Sequence, residues 1–214
     1  MGYHRAGFDV VGVDSNPQPK YPFEFHQVDA FDYLDKHGME YDAIHASPPC
    51  QKYSVLSHFA RKEHKAHVPE IRDKLAATGK PYIIENVPGA PMVNACVLCG
   101  SMFDLKTDSG AGLRRHRLFE TNFPVFAPSE CKHPRQTIGI FGDKARDTAA
   151  EKRHYSKNKK TRGRPTDVNF SLEDARAAMG ISWMSFKGLS QAIPPAYTEH
   201  IGKQLMGILA IDST

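Results

Sequence analysis

The sequence predicts an α/β fold, a mostly parallel twisted sheet with helices on both faces. Two observations predict it. Short apolar runs alternate with helix-like stretches through the first half of the chain. Several of those runs also stop at an acid, a proline pair or an Asn-Val step, which puts polar chemistry at strand ends. The chain of 214 residues is long enough for one sizeable core, and its 40% hydrophobic and 24% charged residues are ordinary for a globular protein. No apolar run approaches the roughly 18 residues that span a membrane. Met1-Gly-Tyr-His-Arg5 is neither a signal nor a myristoylation pattern, because Ala6 spoils the latter, so the expected location is cytoplasmic.

The elements follow in order. Asp9–Asp14 is an apolar strand ending in an acid, before the turn-rich Ser15–Pro19. Phe25–Asp29 is a second strand with an acid at its end. Ala30–His37 suits a helix closed by Gly38. Tyr41–Ala46 is a third strand, stopped by Ser47-Pro-Pro49. Val68–Thr78 is a helix ending at Gly79, and Pro81–Glu85 is the fourth strand.

From Glu120 to Asn169 the alternation is lost, and Pro, Lys, Arg and His accumulate. Regularity returns at Ser171-Leu-Glu-Asp174, a capping-box-like helix start running to Met179, with Gly180 beyond it. Tyr197, Ile201, Leu205, Ile208 and Leu209 recur at helical spacing in the tail. The expected division is one domain formed by 1–119 and 170–214, interrupted by a short insertion at 120–169.

Net charge is +4, unevenly spread. Lys144–Arg164 holds nine Lys and Arg against Asp147 and Glu151, about +7, leaving the rest of the chain near −3. Such a segment suits phosphate neutralisation, with Lys157, Lys159, Lys160 and Arg162 as the candidate contacts. It carries only Tyr155 as an aromatic, which favours backbone contact over base stacking.

Four cysteines are too few for a disulfide framework in a chain this long. Cys50 stands on a proline-stiffened loop after a strand, a rigid perch suited to a nucleophile. Cys96-x-x-Cys99 with Cys131-x-His133 contains zinc-type ligands. However, the Cys-x-His half is unusually spaced, and Val93, Val97 and Leu98 suit a packed segment, so no metal is expected there.

Taken together, these pieces resemble the DNA cytosine-5 methyltransferases. Pro48-Pro-Cys-Gln51 is similar to that family's catalytic loop and Glu85-Asn-Val87 to its next catalytic motif. Leu113-Arg-Arg-His-Arg117 resembles the Gln-x-Arg-x-Arg motif, with Leu113 where glutamine is usual. Ser190-Gln-Ala-Ile-Pro-Pro195 resembles the final motif, and Ala6-Gly-Phe8 through Val11-Gly-Val-Asp14 the path to a ribose-binding acid. The pieces stand in family order along almost the whole chain.

The resemblance implies a Rossmann-like fold that uses S-adenosyl-L-methionine, with 120–169 as a short target-recognition insertion. It implies Cys50, Glu85, Arg115 and Arg117 as the catalytic group. Asp14, Ser15, Asp29, Ala30, Pro48, Gln191 and Ala192 would bind the cofactor. Ser47, Pro49, Gln51 and Asn86 would join the basic cluster in binding substrate. Burial would raise the Glu85 pKa so that it can protonate or hydrogen-bond the base. The implied partner is double-stranded DNA, with a restriction endonuclease acting separately, a monomeric state and no membrane. The same chemistry on a tRNA, and a DNA-binding remnant without turnover, are the competing expectations. One departure bears on the second of these. Met1–Phe8 begins inside the helix that usually follows a central strand and Gly-rich loop, so the reading frame is expected to extend upstream, and cofactor binding to be weak if it does not.

Overall fold

The computed structural model describes residues 1–50, 67–141 and 168–212, and shows a mixed α/β protein. Two compact units divide it. One gathers Met1–Phe8, Cys99–Arg115 and Pro128–Thr214; the other gathers Asp9–Leu98 and His116–Ala127.

Among the described residues, the second unit carries two sheets. β1 (Val11–Val13) pairs in parallel with β2 (Glu24–His26). A separate sheet runs β3 (Ile44–Ala46), β4 (Tyr82–Asn86), β7 (Arg117–Thr121), β5 (Cys96–Leu98). β3 and β4 are parallel, but β7 is antiparallel to both of its neighbours. The expected mostly parallel sheet is therefore only partly present. β7 lies downstream of the loop that follows β4 and returns beside it, which reverses its direction.

Register in this sheet decides which side chains share a face. Ile84 lies opposite Glu120 and Glu85 opposite Phe119. Alternation then puts Ile84 and Glu120 on one face, and Glu85, Phe119 and Arg117 on the other. On the Ile84 face, Ile71 and Leu75 of α3 (His67–Ala77) pack with Tyr82, Leu34 and Ile44. α2 (Ala30–His37) starts where the sequence places it, because the Asp29 carboxylate accepts from the Phe31 and Asp32 amides. β4 is held at its start by Asn122, whose side chain accepts from the Tyr82 amide and donates to the Lys80 carbonyl, at 2.7 and 3.0 Å.

The first unit is built on β6 (Gly112–Leu113) and β8 (Thr137–Ile138), a short parallel ladder. Leu113, Ile138 and Ile140 pack with Ala175, Met179 and Leu189 from α4 (Leu172–Met179) and α5 (Phe186–Gln191). Thr137–Ile140 thus belongs to this core although it falls within the 120–169 stretch. The Ser171–Asp174 capping box forms, and Gly180 closes α4 in the left-handed region. α6 (Pro195–Asp212) buries Tyr197, Ile201 and Leu205. Its first turn approaches α1 (Gly2–Arg5) so closely that a Cβ on Gly2 would lie 2.3 Å from the Pro195 carbonyl oxygen. Among the described residues no helix is long and apolar enough to cross a membrane.

Candidate functional site

In the second unit, four strand ends carry the polar groups that the sequence singles out. Beyond β1, Asp14 accepts from the Asn16 amide at 2.8 Å and the Gln18 side chain at 3.3 Å, so its carboxylate is shaped by its own turn. Ser15 is tied down by Gln27, which donates to its carbonyl. Beyond β2, Asp29 caps α2, and one oxygen receives both amides at 2.9 and 3.2 Å. Beyond β3 come Ser47, Pro48, Pro49 and a half-buried, free Cys50. β4 ends in Glu85 and Asn86, both buried.

A cleft of about 640 Å³ opens among these ends. Val11, Val13, Ile44, Ala46, Ile71 and Leu75 are among its apolar lining residues. Asp14, Ser15, Asp29, Ala30, Ser47, Pro48 and Pro49 supply its polar and loop positions, bringing five of the seven expected cofactor residues together with Ser47 and Pro49 of the substrate set. Neither β1 nor β3 has a ladder partner among the described residues besides β2 and β4 respectively.

Two contacts organise the chemistry next to this cleft. Asn86 donates through Nδ2 to the Pro48 carbonyl at 3.0 Å, fixing the loop that bears Cys50 to the end of β4. Arg117 Nε lies 2.9 Å from Glu85 Oε1, with both side chains largely buried. The register explains this pair: Arg117 is the diagonal cross-strand neighbour of Glu85 on the same face.

On the opposite face, Arg72 donates through Nε and Nη2 to the two oxygens of Glu120, and through Nη2 to the Pro91 carbonyl. Glu120 also accepts from the Val93 amide at 2.7 Å. This buried carboxylate holds the segment after β4 in place, and its signal in the sequence was only an acid inside an apolar strand. His45, also overlooked, lines the cleft from β3, and its ring lies 3.0 Å from the Ser47 hydroxyl. Burial pulls its pKa down to about 4.

In the first unit, Arg115 is 4% exposed and donates to the carbonyls of Ile140, Ser190 and Ala192, at 2.5, 2.8 and 2.7 Å. It clamps the segment that contains Gln191 and Ala192. The Tyr197 hydroxyl donates to the Arg115 carbonyl at 2.7 Å, so α6 supports that clamp from behind. Gln51, Lys157, Lys159, Lys160 and Arg162 lie outside the described residues.

No family model matches the chain, and no curated protein matches its sequence. A crystal structure of a triple mutant of Spodoptera frugiperda DNMT2 is similar at 14% identity and a TM-score of 0.47, covering 97% of this chain and 96% of that one. That likeness is too loose to assign a function, which has to come from the residues themselves.

Proposed function

We propose that this chain is an S-adenosyl-L-methionine-dependent methyltransferase of Rossmann-like type that modifies carbon 5 of cytosine in DNA, with Cys50 as nucleophile. The observation that carries the proposal is the hydrogen bond from Asn86 to the Pro48 carbonyl. It ties the cysteine loop to the strand end bearing Glu85, and a covalent mechanism needs those two groups in fixed register.

The cleft suits the cofactor in size and in chemistry. Its volume is that of a ligand pocket, its walls are apolar, and acids stand at two strand ends. Asp14 would take the ribose hydroxyls in place of the long bond from Gln18. Asp29, occupied as a helix cap, would contribute its free oxygen beside the adenine. When bound, the cofactor supplies a methyl group on a positively charged sulfur.

The residues of this chain prepare the acceptor. The Cys50 thiolate adds to carbon 6 of a flipped-out cytosine, breaking the 5,6 double bond and making carbon 5 nucleophilic. Glu85, oriented by Arg117, acts in its protonated form: it donates its proton to nitrogen 3, where charge develops, and accepts from the exocyclic amine. After carbon 5 is methylated, a base removes its proton, the double bond re-forms and Cys50 leaves. Arg115 acts as a positioning residue through the Ser190–Ala192 backbone. Lys157, Lys159, Lys160 and Arg162 neutralise phosphates of double-stranded DNA, so affinity falls with salt by about 0.9 log unit per contact for each log unit of salt.

The test is trapping on DNA containing 5-fluorocytosine in the presence of S-adenosyl-L-methionine. Fluorine cannot leave as a proton does, so the adduct persists through a denaturing gel. Wild type should give a shifted band and Cys50→Ala none. No adduct with wild type, or an adduct that survives Cys50→Ala, overturns the proposal. A parallel arm with fluorinated RNA separates the two nucleic acids: adduct formation there alone replaces DNA as the substrate.

A further inference from the structure

Away from the cleft, the first unit brings together three soft metal ligands. Cys99 is fully buried at the start of a 3-10 turn, Gly100–Phe103, while Cys131 and His133 lie on an exposed loop before β8. Both sulfurs stand 3.3 Å from the same ring atom, His133 Nε2. The three donor atoms lie within 4.8 Å of one another. The Ser101 hydroxyl is 3.5 Å from the Cys131 sulfur.

This convergence is poorly served by hydrogen bonding. A single ring nitrogen has either one proton to give or one lone pair to offer, so it cannot satisfy two thiols equally. A cation between the three atoms satisfies all of them. For tetrahedral zinc, with Zn–S near 2.3 Å and Zn–N near 2.0 Å, the sulfur-to-nitrogen edge is about 3.5 Å. The observed separations are within a few tenths of an ångström of that.

The chain is built to bring these ligands together. β6 pairs with β8, so the loop carrying Cys131 and His133 enters the ladder beside Gly112. The 3-10 turn is pressed onto the same strand, since a Cβ on Gly100 would sit 2.3 Å from the Leu113 carbonyl oxygen. Every residue from Pro128 to Gln136 is exposed, and the segment has no helix or strand of its own. Apolar burial therefore does little to hold it, and a metal link to Cys99 would.

We infer that Cys99, Cys131 and His133, all within the first unit, form a structural zinc site. Thiolate and imidazole donors in tetrahedral array select zinc over harder cations. Binding turns the two thiols into thiolates and releases their protons, while His133 binds as the neutral imidazole. The Ser101 hydroxyl then supports the Cys131 thiolate from outside the ligand sphere. The site fixes the loop to the β6–β8 ladder two residues from Arg115. It is independent of the catalytic proposal, because no ligand comes from the cleft. The sequence alone leads to no expectation of a metal here, and Cys96, in β5, is not among the converging donors.

The experiment is metal analysis of the full chain purified without chelator, with cobalt substitution of the same protein. Wild type should hold about one zinc per chain, and its cobalt form should show thiolate-to-metal charge-transfer bands and intense tetrahedral visible bands. Cys131→Ser and His133→Ala should lower metal content at least about tenfold, while Cys96→Ser keeps it. Wild type without metal, a Cys99–Cys131 disulfide in its place, or full occupancy in Cys131→Ser overturns the site. If the ligand variants do not fold, the wild-type cobalt spectrum decides alone: octahedral, weakly absorbing cobalt overturns the assignment.

Discussion

Arg115 and Arg117 are two residues apart, yet their surroundings have opposite character. Arg115 gives its protons to three neutral backbone carbonyls, and Arg117 faces a carboxylate. A guanidinium on carbonyls acts as a clamp: it fixes chain segments by donating to their dipoles. A guanidinium on a carboxylate fixes one side chain and neutralises it. Arg72 with Glu120 extends the second pattern, on the other face of the same strands. One type of residue thus positions backbone in the first unit and orients acids in the second.

The largest expected effect comes from breaking the pair with the most deeply buried acid. Glu120→Gln leaves Arg72 without its counter-charge and should cost about 3–5 kcal/mol, read as a lowered urea midpoint at constant m-value. An unchanged midpoint would mean that the charge in this pair contributes nothing to stability. Arg115→Lys keeps the charge but loses the fork, and should cost about 2–3 kcal/mol because at least one carbonyl is left unpaired. Full stability in this variant would remove the clamp from the comparison.

Acid sharpens the contrast within the second unit. The His45 pKa is depressed to about 4 by burial. The unfolded chain therefore binds the proton more readily than the native one between about pH 6.5 and 4. The His45 contribution is fully present above pH 6.5 and is lost as pH falls through that window. A His45→Asn variant should flatten this part of the stability-versus-pH curve, and an unaltered curve would dismiss the assignment. The smallest effect belongs to Asp29. Asp29→Ala removes the cap of α2 and should cost about 1 kcal/mol, whereas Asp29→Asn keeps the cap within a few tenths. If Asp29 also binds cofactor, the Asn variant loses affinity at unchanged stability.

Much of this was legible in the sequence, for local reasons. The helices at Ala30–His37, His67–Ala77 and Leu172–Met179 begin and end within about a residue of expectation. Their caps and glycines act over a few residues, and such signals survive in one dimension. The ends of β1, β3 and β4 were equally clear. The reversal of β7 was not, because direction within a sheet depends on which strand is met in space. The Glu85–Arg117 pair follows from that register, so it was hidden with it. Cys99, Cys131 and His133 were visible as zinc-type ligands, but the unusual spacing spoke against them, because their meeting point depends on the β6–β8 ladder, a pairing too short to leave a pattern.

The packing of α1 against α6 has a kinetic consequence. Ala6 and Tyr3 crowd Gly202, and Arg5 reaches Glu199, so α1 finds its partner only in α6, nearly two hundred residues further on. During synthesis the second unit can assemble while α1 still waits, its apolar side unsatisfied, for almost the entire chain to emerge. Contacts of such high sequence separation are slow to close. The rate-limiting step of folding should therefore be the docking of α6, and a ribosome paused before Pro195 should hold a folded second unit beside a first unit open to proteolysis.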